Sequence, residues 1–415
     1  MPGKTLILCY DFPPNQGIGG RRWAKLAKGL AQRGTDIIVL KADTLTGNVE
    51  SAWTKDTLHP GIKVHSIPRN YPEILHQPSG SILGKLRFRY YQFLLRKKFR
   101  GTIFDLALCW EKDLIQQATD LIHKENIQNI IATGAPFNLL YQTSKLKTIF
   151  PKINCIIDYR DPWLTAVNYG IPQLKYDDFL YEKYKQYSVF QAAEHVICPN
   201  PFMLDEIRKS GDQLNVKAAF SVLPHFYDPD EISQYLSIPR QNDGKIRLVY
   251  GGTLYMGMEP YFKQLSEGLT LLKTKRNELY NQLEIELYSK DSRFSVYFES
   301  HTSVVKLSAP IGNSLFERLS QSDAAFIFLA HHNKHYQTTK FFEYLPFQKP
   351  FIYLGEQGYV AKFIRDEKLG YILDNPATDF MDIIEKIAEF KQDKQHLHEA
   401  WSLESVTAKL EKLMV

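Results

Sequence analysis

The sequence holds few cysteines, four in 415 residues, at Cys9, Cys109, Cys155 and Cys198. They stand far apart and form no Cys-x-x-Cys pair, so a zinc knuckle and a dithiol redox motif are both excluded. Each lies in or beside an apolar run, and the expectation is buried free thiols in a reducing cytoplasm. Long hydrophobic runs are also missing. No stretch reaches the length of a membrane span, so no transmembrane helix is expected. The opening MPGKTLILCYDFPP has one Lys and an apolar run that stops at Asp11, too short for a secretory signal. Charge of one sign is scarce as well. A net charge of +5 does not by itself argue for nucleic acid, and any basic function must be local. With 23 Gly, 21 Pro and 23% charged residues, composition excludes disorder, collagen and low-complexity structure.

What is present is a core-forming chain, 44% hydrophobic, with 24 Tyr and 25 Phe. Its length predicts two or three domains. Short apolar runs alternate with helix-length amphipathic segments. TLILCY (5–10), DIIVLKA (36–42), FDLALCW (104–110), NIIAT (129–133), INCIID (153–158) and HVICP (195–199) read as strands. RRWAKLAKGLAQRG (21–34) reads as a helix closed by Gly34. This β-α order predicts a parallel sheet covered on both faces. The pattern restarts near residue 245 with KIRLVYGGTL, then EIELY (284–288), SVVKL (303–307), AAFIFLA (324–330) and PFIYLG (350–355). The expectation is an N-terminal domain over 1–225, a C-terminal domain over 245–392 and a helical segment over 393–415 that extends the second domain or crosses back to the first. The polar, Pro-containing stretch 223–244 reads as the connection.

In doubly wound sheets, ligands bind at the carboxyl ends of strands, so the loops after strands carry the search. In DFPPNQGIGGRRW (11–23), Gly17, Gly19 and Gly20 are expected to precede a helix whose first amides can bind an anion. A dinucleotide-binding motif is disfavoured, because its glycines directly follow the strand and here they start seven residues after Tyr10. A phosphate or sugar contact is favoured over a structural turn, with Arg22 beside it. TGAPFN (133–138) follows the fourth run and brings Pro136 and Asn138. DYRDPW (158–163) gathers Asp158, Arg160, Asp161 and Trp163, which suit a polar ring: carboxylates accept hydroxyl protons, Arg binds anions and Trp stacks on a sugar face. The competing reading is an Arg–Asp pair that pins a loop.

In the second domain, YGGTLY (250–255) offers Gly252 and Thr253 after a strand. In HHNKHYQTTKFFEYLPFQKP (331–350), Thr338 and Thr339 are expected to cap a helix, with Lys340 as an anion contact. Glu343 suits a pair of ribose hydroxyls, against the alternative of a solvated charge. His331, His332 and His335 lack a partner at ligand-like spacing, so no metal is expected. One segment is locally basic. KLRFRYYQFLLRKKFRG (85–101) holds seven Lys or Arg and no acid, with aromatics and leucines interleaved. That composition suits a helix on an anionic membrane, with Arg96, Lys97 and Lys98 in contact; nucleic acid and a solvated helix are the alternatives.

Taken together these motifs resemble the retaining GT-B glycosyltransferases of family 4. FPPNQGIGGRRWAKLAKGLAQRGTDIIVL is similar to that family's opening, TGAPFNLL and DYRDPW to its N-domain elements, and YGGTLY and TTKFFEYLPFQKPFIYLG to its donor-domain elements. The resemblance implies two Rossmann-like domains facing each other across a cleft. It implies a nucleotide sugar in the C-terminal domain and an acceptor in the N-terminal one. Glu343 would hold the ribose, and the amides at Thr338, Thr339 and Lys340 the diphosphate. Gly19 and Gly20 would approach the donor phosphate, Asp158, Arg160 and Asp161 would line the acceptor side, and these three with His335 would be the catalytic residues. No cofactor and no metal are implied, since dipoles and cations take the leaving-group charge. Retention by front-face attack is expected. His335 stands where the family often has a Glu, Lys263 alone replaces an Arg–Lys pair, and Asn138 and Leu139 stand near the place of a His. His335 or Lys340 would substitute.

The leading reading is therefore a cytoplasmic glycosyltransferase at the inner face of the cell membrane. It would transfer a sugar to a lipid-linked or polysaccharide acceptor in cell-surface polysaccharide assembly, with no nucleic-acid partner. A non-catalytic partner subunit of the same fold, or another nucleotide-sugar enzyme such as an epimerase, is the alternative.

Overall fold

In the computed structural model the apolar runs form two separate parallel sheets; residues 3–44, 50–211, 216–330, 338–387, 389–390 and 399–415 are described. The first sheet comprises β1 (Thr5–Leu8), β2 (Ile37–Ala42), β3 (Ile62–Ile67), β4 (Asn129–Gly134), β5 (Asn154–Tyr159), β6 (His195–Cys198) and β7 (Ala219–Val222). Their order is β3-β2-β1-β4-β5-β6-β7, and every pairing is parallel. The second comprises β8 (Ile246–Gly251), β9 (Leu283–Tyr288), β10 (Val305–Ser308), β11 (Ala324–Leu329), β12 (Phe351–Gly355) and β13 (Gly370–Ile372). It runs β10-β9-β8-β11-β12-β13, again parallel throughout. Central strands β1, β2, β4, β5 and β11 are buried at every residue, which is why they read as continuous apolar runs.

Two compact units result: residues up to Pro224 together with Leu403–Val415, and His225–Ser402. The last helix, Leu403–Glu411, is thus part of the first unit. It lies so close to the helix Ile18–Gln32 that a Cβ on Gly29 would come within 2.4 Å of Thr407 Oγ1. Arg33 pairs with Glu411 at 2.6 Å. The Asn129 side chain both donates to the Val415 carbonyl (3.0 Å) and accepts from its N–H (2.9 Å). The stretch 223–244 is more than a connection. It contains the helix Pro229–Leu236, N-capped by Asp228, and Ile232 packs into the second unit's core.

The helix expected from residue 21 begins three residues earlier, at Ile18, with Gly17 as N-cap at φ 144°. Gly19 and Gly20 therefore sit inside the first turn rather than before it. Gly34 ends the chain reversal as expected, at φ 91° with its N–H on the Ala31 carbonyl. FDLALCW is not a strand. Ala107, Leu108 and Trp110 are buried and Phe104, Leu106 and Cys109 half-buried, but the segment folds as turns around the fully buried Asp105. That carboxylate accepts from the N–H groups of Phe137 (2.6 Å), Asn138 (3.0 Å) and Ala107 (2.9 Å). It thereby satisfies two of the orphan amides that open the helix Phe137–Ile149. Burial pushes its pKa up, while the backbone donors and Lys185 pull it back.

Cys9, Cys155 and Cys198 are buried, Cys109 is half-buried, and all four are free. Burial pushes the first three thiols up to about 12. Among the described residues, no helix is long and apolar enough to cross a membrane, and no metal-ligand cluster is assembled.

Replacing Asp105 by Ala leaves three buried N–H groups without an acceptor. At about 1–3 kcal/mol for each unmet group, a loss of roughly 3 kcal/mol or more is expected. Urea unfolding followed by circular dichroism measures it; an unchanged midpoint would contradict the assigned role.

Candidate functional site

Strand order reverses between β8 and β11 in the second unit and between β1 and β4 in the first. Those reversals open a crevice at the carboxyl ends of the strands. In the second unit, β8 ends at Gly251 and continues through Gly252 into the exposed residues Thr253, Tyr255 and Met256. The helix Thr339–Tyr344 follows β11 in the chain. Tyr344 anchors it: its hydroxyl donates to the Gly251 carbonyl (3.0 Å) and accepts from the Gly251 N–H (3.1 Å). Lys340 stands four residues earlier, hence on the same helical face. Its side chain lies over Gly252, where a Cβ would come within 2.0 Å of Cε and 2.4 Å of Nζ. Only a glycine leaves room for this cation on the strand's end. The Gly252 N–H is given to the Tyr288 carbonyl at 2.8 Å, and the Thr253 carbonyl accepts from Tyr250 Oη at 3.0 Å.

Glu343 is half-buried on the same short helix. Thr338 occupies the N-cap position, but its side chain makes no capping hydrogen bond. Thr339 is the first helical residue. His335, with His331 and His332, lies outside the described residues.

In the first unit, Asp158 ends up inside the protein. Its Oδ2 accepts from Trp23 Nε1 (2.7 Å) and Thr133 Oγ1 (2.9 Å), and Arg22 Nε stands 3.7 Å away. Arg22 is likewise buried. Its two terminal nitrogens donate to the carbonyls of Leu223 (2.7 Å) and Pro224 (2.9 Å), and burial lowers its pKa. Trp163 corrects the expectation of a sugar-stacking face. The ring is 1% exposed, stacked on Phe137 at 5.1 Å, and its Nε1 donates to Glu182 Oε2 at 2.8 Å. Asn138 is also enclosed, its Oδ1 accepting from Lys185 Nζ at 3.1 Å. Pro136 is the residue before that helix's first turn.

Arg160 and Asp161 are different, being half-exposed. Arg160 donates to the Ala135 carbonyl in the loop after β4, and its guanidinium lies on Gly19: a Cβ there would come within 1.5 Å of Nη1. Asp161 makes no hydrogen bond among the described residues. Burial raises its pKa and Arg160 opposes the rise. Gly20 serves a tighter contact, since a Cβ would approach the Asp11 carbonyl oxygen to 2.0 Å.

Sequence reading missed Arg69, Asp11 and Lys41 at the same strand ends. Arg69 follows β3, an edge strand with no apolar run to announce it. It lies over the Tyr10 ring at 5.2 Å and stands 3.8 Å from Asp11. Burial raises the pKa of Asp11, and Arg69, Arg160 and Lys41 all pull it down. The switch point of the first unit is therefore lined by cations with two half-exposed carboxyls among them.

No family model matches the chain, and no curated protein matches its sequence. Solved structures do share its architecture. An Escherichia coli trehalose-6-phosphate protein bound with UDP-2-fluoro glucose superposes with a TM-score of 0.64 at 10% identity, covering 99% of each chain. A glycosyltransferase from Rickettsia africae gives 0.61 at 13%, over 99% of this chain and 98% of that one. A protein assigned as a UDP-N-acetylglucosamine 2-epimerase from Listeria monocytogenes gives 0.56 at 10%, over 99% and 95%. The chain has the GT-B fold. At these identities the likeness is one of fold, and each unit is a Rossmann-like domain of it.

The two adjacent glycines separate by mutation. An alanine in a helix gains about 1 kcal/mol over glycine. At Gly19 the obstacle is the mobile end of Arg160, so Gly19→Ala is expected to keep the melting temperature within a few degrees while displacing that guanidinium. At Gly20 the obstacle is backbone, and Gly20→Ala is expected to lower the melting temperature sharply. Equal melting temperatures in differential scanning calorimetry would contradict the assignment.

Proposed function

We propose that the protein is a retaining, metal-independent glycosyltransferase that moves a sugar from a nucleotide-sugar donor to a lipid-linked or polysaccharide acceptor. The observation that carries the reading is the Lys340 ammonium seated on Gly252 at the switch point of the second unit. A diphosphate placed there meets a cation and a backbone bare of side chain. Preorganised charge of this kind stabilises the anion that develops as the leaving group departs. Support comes from a protein of the same fold that is bound with UDP-2-fluoro glucose.

In this reading Lys340, whose ammonium Gly252 leaves room for, and the backbone N–H groups at Thr253, Thr338 and Thr339 take the diphosphate, and Glu343 takes the ribose hydroxyls. His335 would contact the donor sugar or its phosphate. Arg160, Asp161 and Arg69 receive the acceptor, whereas Asp158, Arg22, Asn138 and Trp163 hold those groups in place. The bond between the anomeric carbon and the diphosphate oxygen breaks, and the acceptor oxygen bonds the same face of that carbon. The acceptor's proton passes to the departing phosphate. A cytoplasmic enzyme of cell-surface polysaccharide assembly fits this chemistry.

A second reading, a nucleotide-sugar epimerase, draws on the epimerase-assigned neighbour of the same fold. It is distinguished by consumption of a nucleotide sugar with no acceptor present.

Thermal melting against a panel of nucleotides and nucleotide sugars, without metal, tests the donor site. Ligand at a hundred times its Kd adds about 2.7 kcal/mol of stability. A clear shift with one base is expected; silence across the panel would favour the non-catalytic partner subunit. Lys340→Ala and Gly252→Ala are each expected to weaken binding about tenfold or more, the worth of one charge-assisted hydrogen bond. Their double mutant should lose little further, because both remove the same ammonium. Glu343→Ala should weaken nucleoside diphosphates but not inorganic diphosphate; equal weakening of both would move Glu343 off the ribose.

A further inference from the structure

The basic segment forms the helix Ile82–Lys98, N-capped by Ser81, whose hydroxyl accepts from the Gly84 N–H at 3.0 Å. A helix on a protein surface ordinarily turns its apolar stripe inward. This one divides its apolar residues between two faces. Phe88, Tyr91 and Leu95 face the protein and join a small cluster with Leu75, Ile103 and Leu108, and Gly84 is buried on the same side. Helical spacing puts Ile82, Leu83, Leu86, Tyr90, Phe93 and Leu94 on the opposite side. All six are exposed, Ile82 by 79%, Leu83 by 74% and Phe93 by 56%. By the same spacing Lys85, Arg89 and Arg96 run along one flank of that apolar face and Arg87 and Lys98 along the other. Lys97 lies on the Phe93 ring at 4.9 Å. The helix carries no acidic residue.

The surface continues past the helix. Arg100 lies on the Tyr181 ring at 5.5 Å, and the Gly101 N–H donates to Asp178 Oδ1 at 3.1 Å. Both partners belong to the helix Tyr176–Ala192, which exposes Tyr176, Leu180 and Tyr184. Tyrosines beside an apolar face flanked by cations have the amphipathic character of a membrane–water boundary.

We propose that this outward face inserts into an anionic bilayer surface. The helix lies in the plane of the interface, with Leu83, Leu86, Tyr90, Phe93 and Leu94 in the headgroup–acyl boundary and the flanking cations at the phosphates. Charge decides among occupants. A second copy of this face would set cation against cation along both flanks. Nucleic acid would pair with the cations and leave six large apolar side chains in water. An anionic bilayer satisfies both sets at once. The inference deepens the proposed function, because a lipid-linked acceptor is presented at such a surface; it rests on that reading for its purpose alone.

The test uses the full chain in co-sedimentation with phosphatidylcholine vesicles, with and without one-third phosphatidylglycerol. Tighter binding to the mixed vesicles, by about tenfold or more at low salt, is expected. Changing Arg96, Lys97 and Lys98 to Ser should abolish that preference. Leu86→Glu with Phe93→Glu should remove binding at all salt concentrations while melting stays unchanged, since both positions are exposed. Phe93→Trp should shift its emission to the blue on adding mixed vesicles. No vesicle binding, or binding indifferent to the Leu86 and Phe93 changes, overturns the proposal. So does a dimer, or an oligonucleotide complex, formed in its place. A nucleotide-induced melting shift without vesicle binding sinks the insertion face alone. Vesicle binding with nucleotide silence sinks the donor site alone.

Discussion

A single buried carboxylate organises the first unit. Asp158 has no exposed surface, and burying a charge costs several kcal/mol unless it is met by donors and a counter-charge. Trp23 and Thr133 supply the donors and Arg22 the counter-charge. Those three partners come from the helix after β1 and from β4, so one ion fixes how both meet the end of β5. Arg22 carries the constraint further by holding the carbonyls at Leu223 and Pro224, where the chain leaves the unit.

Both units use one device to bring a cation to a strand end. Arg160 lies on Gly19 and Lys340 on Gly252, and in each case the missing Cβ is the space the cation fills. The glycines look alike in the sequence, yet they differ in kind. Gly20 and Gly19 are neighbours, one facing backbone and the other a movable side chain. The loop after β8 is held by Tyr344 from the helix that also carries Lys340, so one helix positions both the cation and its seat.

Legibility in the sequence follows burial. Strands β1, β2, β4, β5, β11 and β12 were readable because their residues are buried and run largely apolar, and β6, β8, β9 and β10 as shorter or alternating apolar runs. The edge strands β3, β7 and β13 were not. In β3 four interior residues are exposed, so its composition is mixed, and β13 has three residues. FDLALCW misled for the opposite reason: it is apolar and largely covered, but it brings Asp105 to a helix start, a long-range contact no spacing encodes. The site followed the same rule. The motif loops after β1, β4, β8 and β11 lie where strand order reverses, and DYRDPW follows the neighbouring β5. Arg69 stayed hidden because the strand before it was hidden, and Trp163 was misjudged because residue type does not tell which face of a ring is already taken.

The six residues DYRDPW show how support and site divide within one motif. Its ends are anchored: Asp158 by three partners, and Trp163 by its stack on Phe137 and its bond to Glu182. Glu182 in turn pairs with Lys185 at 2.8 Å, both fully buried, and accepts from the Thr102 N–H at 2.7 Å. A buried pair of this sort adds little net stability over apolar packing, but breaking it strands a charge. Its effect here is to fix three segments against one another. Between those anchors Arg160 and Asp161 remain half-buried, their backbone held at a defined place while their side chains are not consumed by the fold. A pair offered from a rigid frame loses little freedom when a ligand arrives, which is the condition for precise orientation of a hydroxyl nucleophile.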